Sequence, residues 1–233
     1  MSRPHESDLQ KQMVDWARET LNSMGIRIQI LGEPVADGPL ILVGNHISYL
    51  DIPLLMYSSP NVAFLSKSEV EKWPVIGSGA RTMGTVFVKR GNSKNRSSAK
   101  AQIAEQLQRR RCKIALFPSG TTSMNEGKPW RHGAFEIAAQ LQIPIQPFRI
   151  HYSPLRPAAY IGRDFFPVHL YGLARTGGID ATIEFHEPYL VGDVAKTCQR
   201  SYDWSQSLNK KPGFVGRASQ DLSSQQNFTD ERK

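Results

Sequence analysis

The run Asn45-His46-Ile47-Ser48-Tyr49-Leu50-Asp51 carries the strongest local signal of chemistry in the chain. It follows directly on the apolar stretch Leu40-Ile41-Leu42-Val43. In α/β sheets ligands bind in the crevice beyond the carboxyl ends of the strands, so a strand at 40–43 would deliver His46 to a site by topology. An imidazole there can take the proton from an attacking hydroxyl, while a carboxylate holds the ring's tautomer and stabilises the imidazolium that forms. Asp51 is within reach if His46 lies in the turn and Asp51 in the first turn of a following helix. Taken alone, Asp51 serves equally well as an acidic residue favouring a helix N-terminus.

Two further positions have suitable chemistry. Arg90 stands at the exit of a short apolar run, where its planar fork suits bidentate contact to a phosphate or, more plainly, caps a strand at the surface. Ser119 lies in Phe117-Pro118-Ser119-Gly120-Thr121, just beyond another apolar run, and the Gly120 backbone there can cradle a phosphate or an oxyanion. With His46 as its base, Ser119 would be the nucleophile of an esterase or thioesterase, but its flanks lack the G-x-S-x-G elbow that exposes such a serine. His132, His151, His169 and His186 fall in no ligand spacing, and no carboxylate or histidine cluster implies a metal. The basic run Arg109-Arg110-Arg111 with Lys113 reads as a solvated face, or as a dock for an acidic carrier or anionic lipid heads.

The elements that must position these residues alternate. Short apolar runs at 40–43, 62–65, 85–88, 113–117 and 143–150 predict strands buried on both faces, and helical stretches fall between them at 51–57, 69–72, 97–110 and 133–140. This predicts an α/β fold, a largely parallel central sheet flanked by helices, with further strands at Ile26, Ile28 and Ile30 and at 181–185. Ahead of it, Leu9, Met13, Trp16, Ala17, Leu21 and Met24 recur at steps of three and four, an amphipathic N-terminal helix. That helix either packs on the domain or lies in a bilayer interface. The expected organisation is residues 1–24 as this helix, 25–204 as the domain, and 205–233 as a disordered tail rich in Ser, Gln, Asn and Lys.

A formal net charge of +8 favours polyanionic partners without choosing among nucleic acid, anionic lipid and an acidic carrier protein. No aromatic-basic motif supports nucleic-acid binding, so that partner is not expected. Cys112 and Cys198 are far apart and read as unpaired thiols of a reducing compartment. No signal peptide opens the chain and no stretch reaches the roughly 20 apolar residues of a spanning helix, so membrane contact is expected to be peripheral.

Four segments, in order, resemble the conserved blocks of the lysophosphatidic acid acyltransferase family of glycerolipid acyltransferases. His46 to Asp51 resembles the H-x-x-x-x-D block, Gly84-Thr85-Val86-Phe87-Val88-Lys89-Arg90 the G-x-x-F-x-x-R block, Phe117 to Thr121 the F-P-E-G-T block, and Ile143-Pro144-Ile145-Gln146-Pro147 the proline-containing block. Pro74-Val75-Ile76-Gly77 and Arg131-His132-Gly133-Ala134-Phe135 are also similar. The resemblance implies acyl transfer from acyl-CoA or acyl carrier protein, as co-substrate rather than bound cofactor, to a lysophospholipid hydroxyl. His46 would be the base, Asp51 its orienter, and Gly84, Phe87, Arg90, Ser119, Gly120 and Thr121 the substrate-binding residues. The implied product is a diacyl lipid such as phosphatidic acid, made by a monotopic enzyme on the cytoplasmic membrane face. The chain departs from the pattern at Ser119, where the family has glutamate. That departure leaves open a different acceptor, such as a lyso-amino-acid lipid, or a weakly active or non-catalytic lipid-binding homologue.

Overall fold

A computed structural model describes residues 4–68, 85–88, 93–110, 112–125, 127–162 and 164–207. The elements in chain order are α1 (Pro4–Ser23), β1 (Ile26–Leu31), β2 (Leu40–Gly44), α2 (Asp51–Ser58), β3 (Val62–Lys67), β4 (Val86–Val88), α3 (Ser93–Arg110), β5 (Lys113–Leu116), α4 (Gly133–Leu141), β6 (Ile145–Ser153), α5 (Leu155–Ala158), α6 (Phe166–Ala174), β7 (Ile179–Phe185) and α7 (Val194–Gln206). The expected alternation is present, and the helical stretch expected at 69–72 lies outside the described residues. Two well-formed helices, α6 and α7, follow the last expected one and went unread in the sequence. The last, α7, runs to Gln206 with Ser205 buried, past the domain boundary expected at 204, and the rest of the expected tail lies outside the described residues.

The seven strands form one sheet in the order β1-β7-β6-β2-β5-β3-β4, and every pairing is parallel except β6 with β7. Burial explains why the central strands are continuous apolar runs. Successive side chains of β2 point to opposite faces: Leu40 and Leu42 join the core under α1, α2 and α6, while Ile41 and Val43 join the core under α3, α4 and α7. β1, at the edge, is less covered: Ile26 is buried and Ile28 half-buried, but Ile30, on the same face, is 40% exposed. The amphipathic face of α1 is used by the domain: Ala17 and Leu21 are fully buried on the α2 side of the sheet, whereas Trp16 stays exposed at the rim of that face. Truncating Leu21 to Ala would cost about 2–5 kcal/mol on this packing.

The amino ends of the strands carry stabilising devices rather than chemistry. Gln146, at the start of β6, accepts from the Val35 N–H at 3.0 Å and donates to the carbonyls of Glu33 and His186 at 2.8 and 2.9 Å. Lys113, at the start of β5, is buried and donates to the carbonyls of Val35 and Ala36 at 2.9 and 3.0 Å. Together the two side chains hold the irregular β1–β2 connection, whose backbone groups have no strand partner. Burial lowers the Lys113 ammonium to about 8, opposed by the nearby Asp37.

Candidate active site

β2 ends because its next residue replaces the backbone with a side chain. The Asn45 amide accepts from the Ile150 N–H at 2.7 Å and donates to the Ile150 carbonyl at 2.8 Å, so the side chain pairs with β6 as a strand residue would. The chain is thereby released from the sheet, and His46 projects at the carboxyl edge. Gly44 permits this close approach to β6, since a Cβ there would collide with the Phe148 ring and carbonyl.

The following turn brings Asp51 back under His46. Asp51 Oδ2 lies 2.7 Å from His46 Nδ1 and accepts the N–H groups of Ile47 and Ser48 at 2.7 and 3.1 Å. Those two amides belong to the turn ahead of α2, whose first residue is Asp51, so the carboxylate folds back on the turn and takes backbone donors that would otherwise lack a partner. The second oxygen, Oδ1, accepts from the Tyr152 hydroxyl at 2.8 Å. Asp51 is fully buried, and all four hydrogen bonds converge on it. Burial and the adjacent carboxylate hold the Tyr152 phenol well above the usual tyrosine range, which keeps it a donor.

An acceptor at Nδ1 places the imidazole proton there and leaves the lone pair on Nε2. The His46 side chain is 20% exposed, against none for Asp51, so a substrate can reach the ring but not its orienter. The ring plane is set by stacking on Phe117, with centroids 3.9 Å apart and an interplanar angle of 13°, and Phe117 rests edge-on against Phe148. Phe117 follows β5, the parallel neighbour of β2, so adjacent strand ends supply the base and its aromatic support. A backbone bond from Ser123 N–H to the His46 carbonyl at 2.8 Å ties the two loops together.

Gly120 makes the turn in the second loop with φ +74, and Arg131 lies across it: a Cβ at Gly120 would sit 3.1 Å from the guanidinium. The Ser119 hydroxyl donates to the Thr121 carbonyl at 3.0 Å, inside its own turn. Among the described residues its partner is that carbonyl and not His46, so Ser119 and His46 do not form a nucleophile–base pair here. Thr121 is exposed on the same turn. Gly84 and Arg90 lie outside the described residues; Phe87 is in β4, and its side chain lies outside them as well.

On the other side, the catalytic turn is held by aromatic residues. The Tyr49 ring is edge-on to Tyr160, Phe166 and His169 at 5.4, 5.1 and 5.5 Å, and Tyr160 N–H donates to the Ile47 carbonyl at 3.1 Å. Burial, with Tyr160 adding to it, pushes the Tyr49 phenol up to about 12. It therefore donates to His169 Nδ1 at 3.1 Å, while Nε2–H of the same ring donates to the Ala159 carbonyl at 2.9 Å. Sequence reasoning missed Tyr152, Tyr160 and Phe166, and it included Asn45, Tyr49 and Phe117 in its motifs without the roles they have here. Tyr152 stands 101 residues from Asp51, and no local spacing points to it.

The Acyltransferase family model matches residues 26–151, which contain the dyad, its supporting aromatic and most of the sheet. Lyso-ornithine lipid O-acyltransferase of Pseudomonas aeruginosa is 34% identical over 178 residues, covering 74% of this chain and 67% of that protein. Its counterpart in Brucella abortus is 34% identical over 186 residues, covering 72% and 68%. The 1-acyl-sn-glycerol-3-phosphate acyltransferase of Neisseria meningitidis is 28% identical over 131 residues, covering 55% and 50%. The crystal structure of the 1-acyl-sn-glycerophosphate acyltransferase PlsC from Thermotoga maritima superposes with a TM-score of 0.70 at 19% identity over 91% of this chain and 86% of that one, a likeness of fold. The family match and the lengths shared with the Pseudomonas and Brucella proteins place the sheet and its His46 turn in one lineage, and the chain belongs to the Acyltransferase family of enzymes.

Proposed function

We propose that this enzyme acylates the free hydroxyl of a lysolipid, with acyl-CoA or acyl carrier protein as donor, at the cytoplasmic surface of a membrane. The observation that carries the reading is the His46–Asp51 dyad: a ring that is 20% exposed, with its lone pair on Nε2 and its other nitrogen fixed by a fully buried carboxylate. In the reaction Nε2 takes the proton of the acceptor hydroxyl as its oxygen attacks the thioester carbonyl. Collapse of the tetrahedral intermediate breaks the C–S bond, and the imidazolium returns the proton to the departing thiolate. A thiol leaves readily, so a base suffices and no acyl-enzyme is required. Asp51 stabilises the imidazolium between the two proton transfers.

An amino-acid-headed acceptor, lyso-ornithine lipid, is favoured over lysophosphatidic acid. The relatives that share about three quarters of this chain are named for the first, while the Neisseria protein, named for the second, shares 55% of it. Ser119 in place of the family glutamate agrees with a changed head-group subsite, since that hydroxyl is engaged within its own turn. Such a lipid places the reaction in membrane lipid biosynthesis.

The test is purified full chain with labelled acyl-CoA or acyl carrier protein and a panel containing lyso-ornithine lipid, lysophosphatidic acid and lysophosphatidylcholine. The expected result is transfer dependent on His46, with kcat/KM highest for lyso-ornithine lipid. Higher kcat/KM on lysophosphatidic acid would reverse the choice of acceptor, and no transfer to any lysolipid would refute the function.

A further inference from the structure

The outward face of α6 has no charged residue. Phe165 at its N-cap, Val168 and Tyr171 are 69%, 67% and 64% exposed, and Pro167, Gly172 and Ala174 are exposed between them. The helix's inward face is ordinary: Leu173 is in the core, Phe166 packs edge-on against Tyr49, and His169 accepts from the Tyr49 hydroxyl. A nine-residue surface helix normally presents polar side chains opposite its core stripe, and α6 presents apolar ones on both sides. Large exposed apolar side chains grouped on one element mark a surface that meets another apolar phase.

The ends of this face indicate which phase. Arg175 closes the C-terminal end, its guanidinium donating to the Tyr171 hydroxyl at 2.7 Å, and Arg156 stands at the other end beside Asp164. Both arginines are surface groups, and among the described residues Arg175 keeps donors beyond the one given to Tyr171. An apolar strip with an aromatic hydroxyl and a guanidinium at its margin matches the layering of a bilayer interface, where tails, carbonyls and anionic heads follow in order. The chain's net charge of +8 suits an anionic leaflet and opposes close approach of a second copy. Continuity with the catalytic turn points the same way, because α6 touches Tyr49 in the loop between His46 and Asp51.

We propose that α6 inserts its outward face, Phe165, Val168 and Tyr171, into the interface of an anionic bilayer and so seats the His46 turn at the level where a lysolipid's hydroxyl leaves the leaflet. The statement about the hydroxyl rests on the acyltransfer reading above; insertion itself does not. The two are separated by using vesicles of phosphatidylethanolamine and phosphatidylglycerol that contain neither lysolipid nor acyl donor.

Full-length Val168→Cys carrying an environment-sensitive fluorophore, with the identically treated wild type as blank for the buried Cys112 and Cys198, should shift to the blue on these vesicles and be quenched by nitroxide-bearing lipid. In co-sedimentation the double variant Val168→Asp, Tyr171→Asp should bind at least tenfold more weakly than wild type. Its melting temperature and its turnover of detergent-dispersed lysolipid should stay near wild type, since neither residue touches the dyad. Unshifted emission while the protein is vesicle-bound would overturn the proposal. So would a wild-type dimer that the double variant dissolves with vesicle binding intact, because the face would then be a contact between copies. Insertion without acyl transfer to any lysolipid would leave this proposal standing and remove the function assigned above.

Discussion

Removing one oxygen, in Tyr152→Phe, tests whether the dyad depends on its buried support. The phenol donates to Asp51 Oδ1 at 2.8 Å, and both residues are fully buried. The other three hydrogen bonds all fall on Oδ2. The variant keeps the ring's packing but takes from the buried Oδ1 the one donor it has among the described residues, so the cost is that of an unsatisfied buried acceptor, about 2–3 kcal/mol. Urea unfolding should show this as a lower midpoint with unchanged m value.

The same phenol provides a second readout. Its folded value is raised above the unfolded value near 10, so the unfolded chain loses this proton first as pH rises. Its stabilising contribution is complete below pH 10 and declines above it. The stability gap between wild type and Tyr152→Phe should therefore be constant from pH 7 to about 9.5 and narrow above 10, while Tyr49, common to both, cancels. With Asp51 less firmly held, kcat on a lysolipid should fall roughly tenfold, the equivalent of about 1.4 kcal/mol at the transition state. A stability change under 0.5 kcal/mol with unchanged kcat would refute the assignment of Tyr152 as the group that positions Asp51.

Three other outcomes are expected. His46→Gln should lower kcat by about 10² to 10⁴ with KM and melting temperature near wild type, and wild-type turnover would end the general-base assignment. Gly44→Ala forces a methyl into Phe148, the edge-on support of Phe117, and should cost about 1–3 kcal/mol together with a fall in kcat; an unperturbed melting curve would contradict the close approach. For Lys113 the folded value of about 8 lies below the unfolded 10.5, so between those pH values the unfolded chain holds the extra proton and stability rises with pH. Wild type should gain stability across that window relative to Lys113→Met, and parallel pH profiles for the two would show that Lys113 is not desolvated as described.

Much of this was legible along the chain because it is local. Continuous apolar runs mark strands with two buried faces, and β2, β3, β5 and β6 lie where those runs fall. The dyad was also local: a strand, a short turn and a helix start are enough to bring Asp51 to His46. Less was legible after β6. α6 presents apolar residues on both sides, so it lacks the one-sided period that identifies a helix by its core stripe, and α7 is mostly polar and packs through small residues such as Cys198, Ser201 and Ser205.

What tertiary structure alone decided is how the dyad is held. The hydroxyl on Asp51 comes from β6, the ring stacked on His46 from the end of β5, and the aromatic brace on Tyr49 from α6 and the residues before it. These contacts depend on which strands are neighbours and on where each strand stops, both settled by long-range pairing. The sequence determined the pair of residues able to move a proton, because a base and its orienter in one turn need only local geometry. Which groups hold that pair was determined by the sheet order β6-β2-β5, because only the assembled sheet brings Tyr152 and Phe117 to either side of the strand that carries His46.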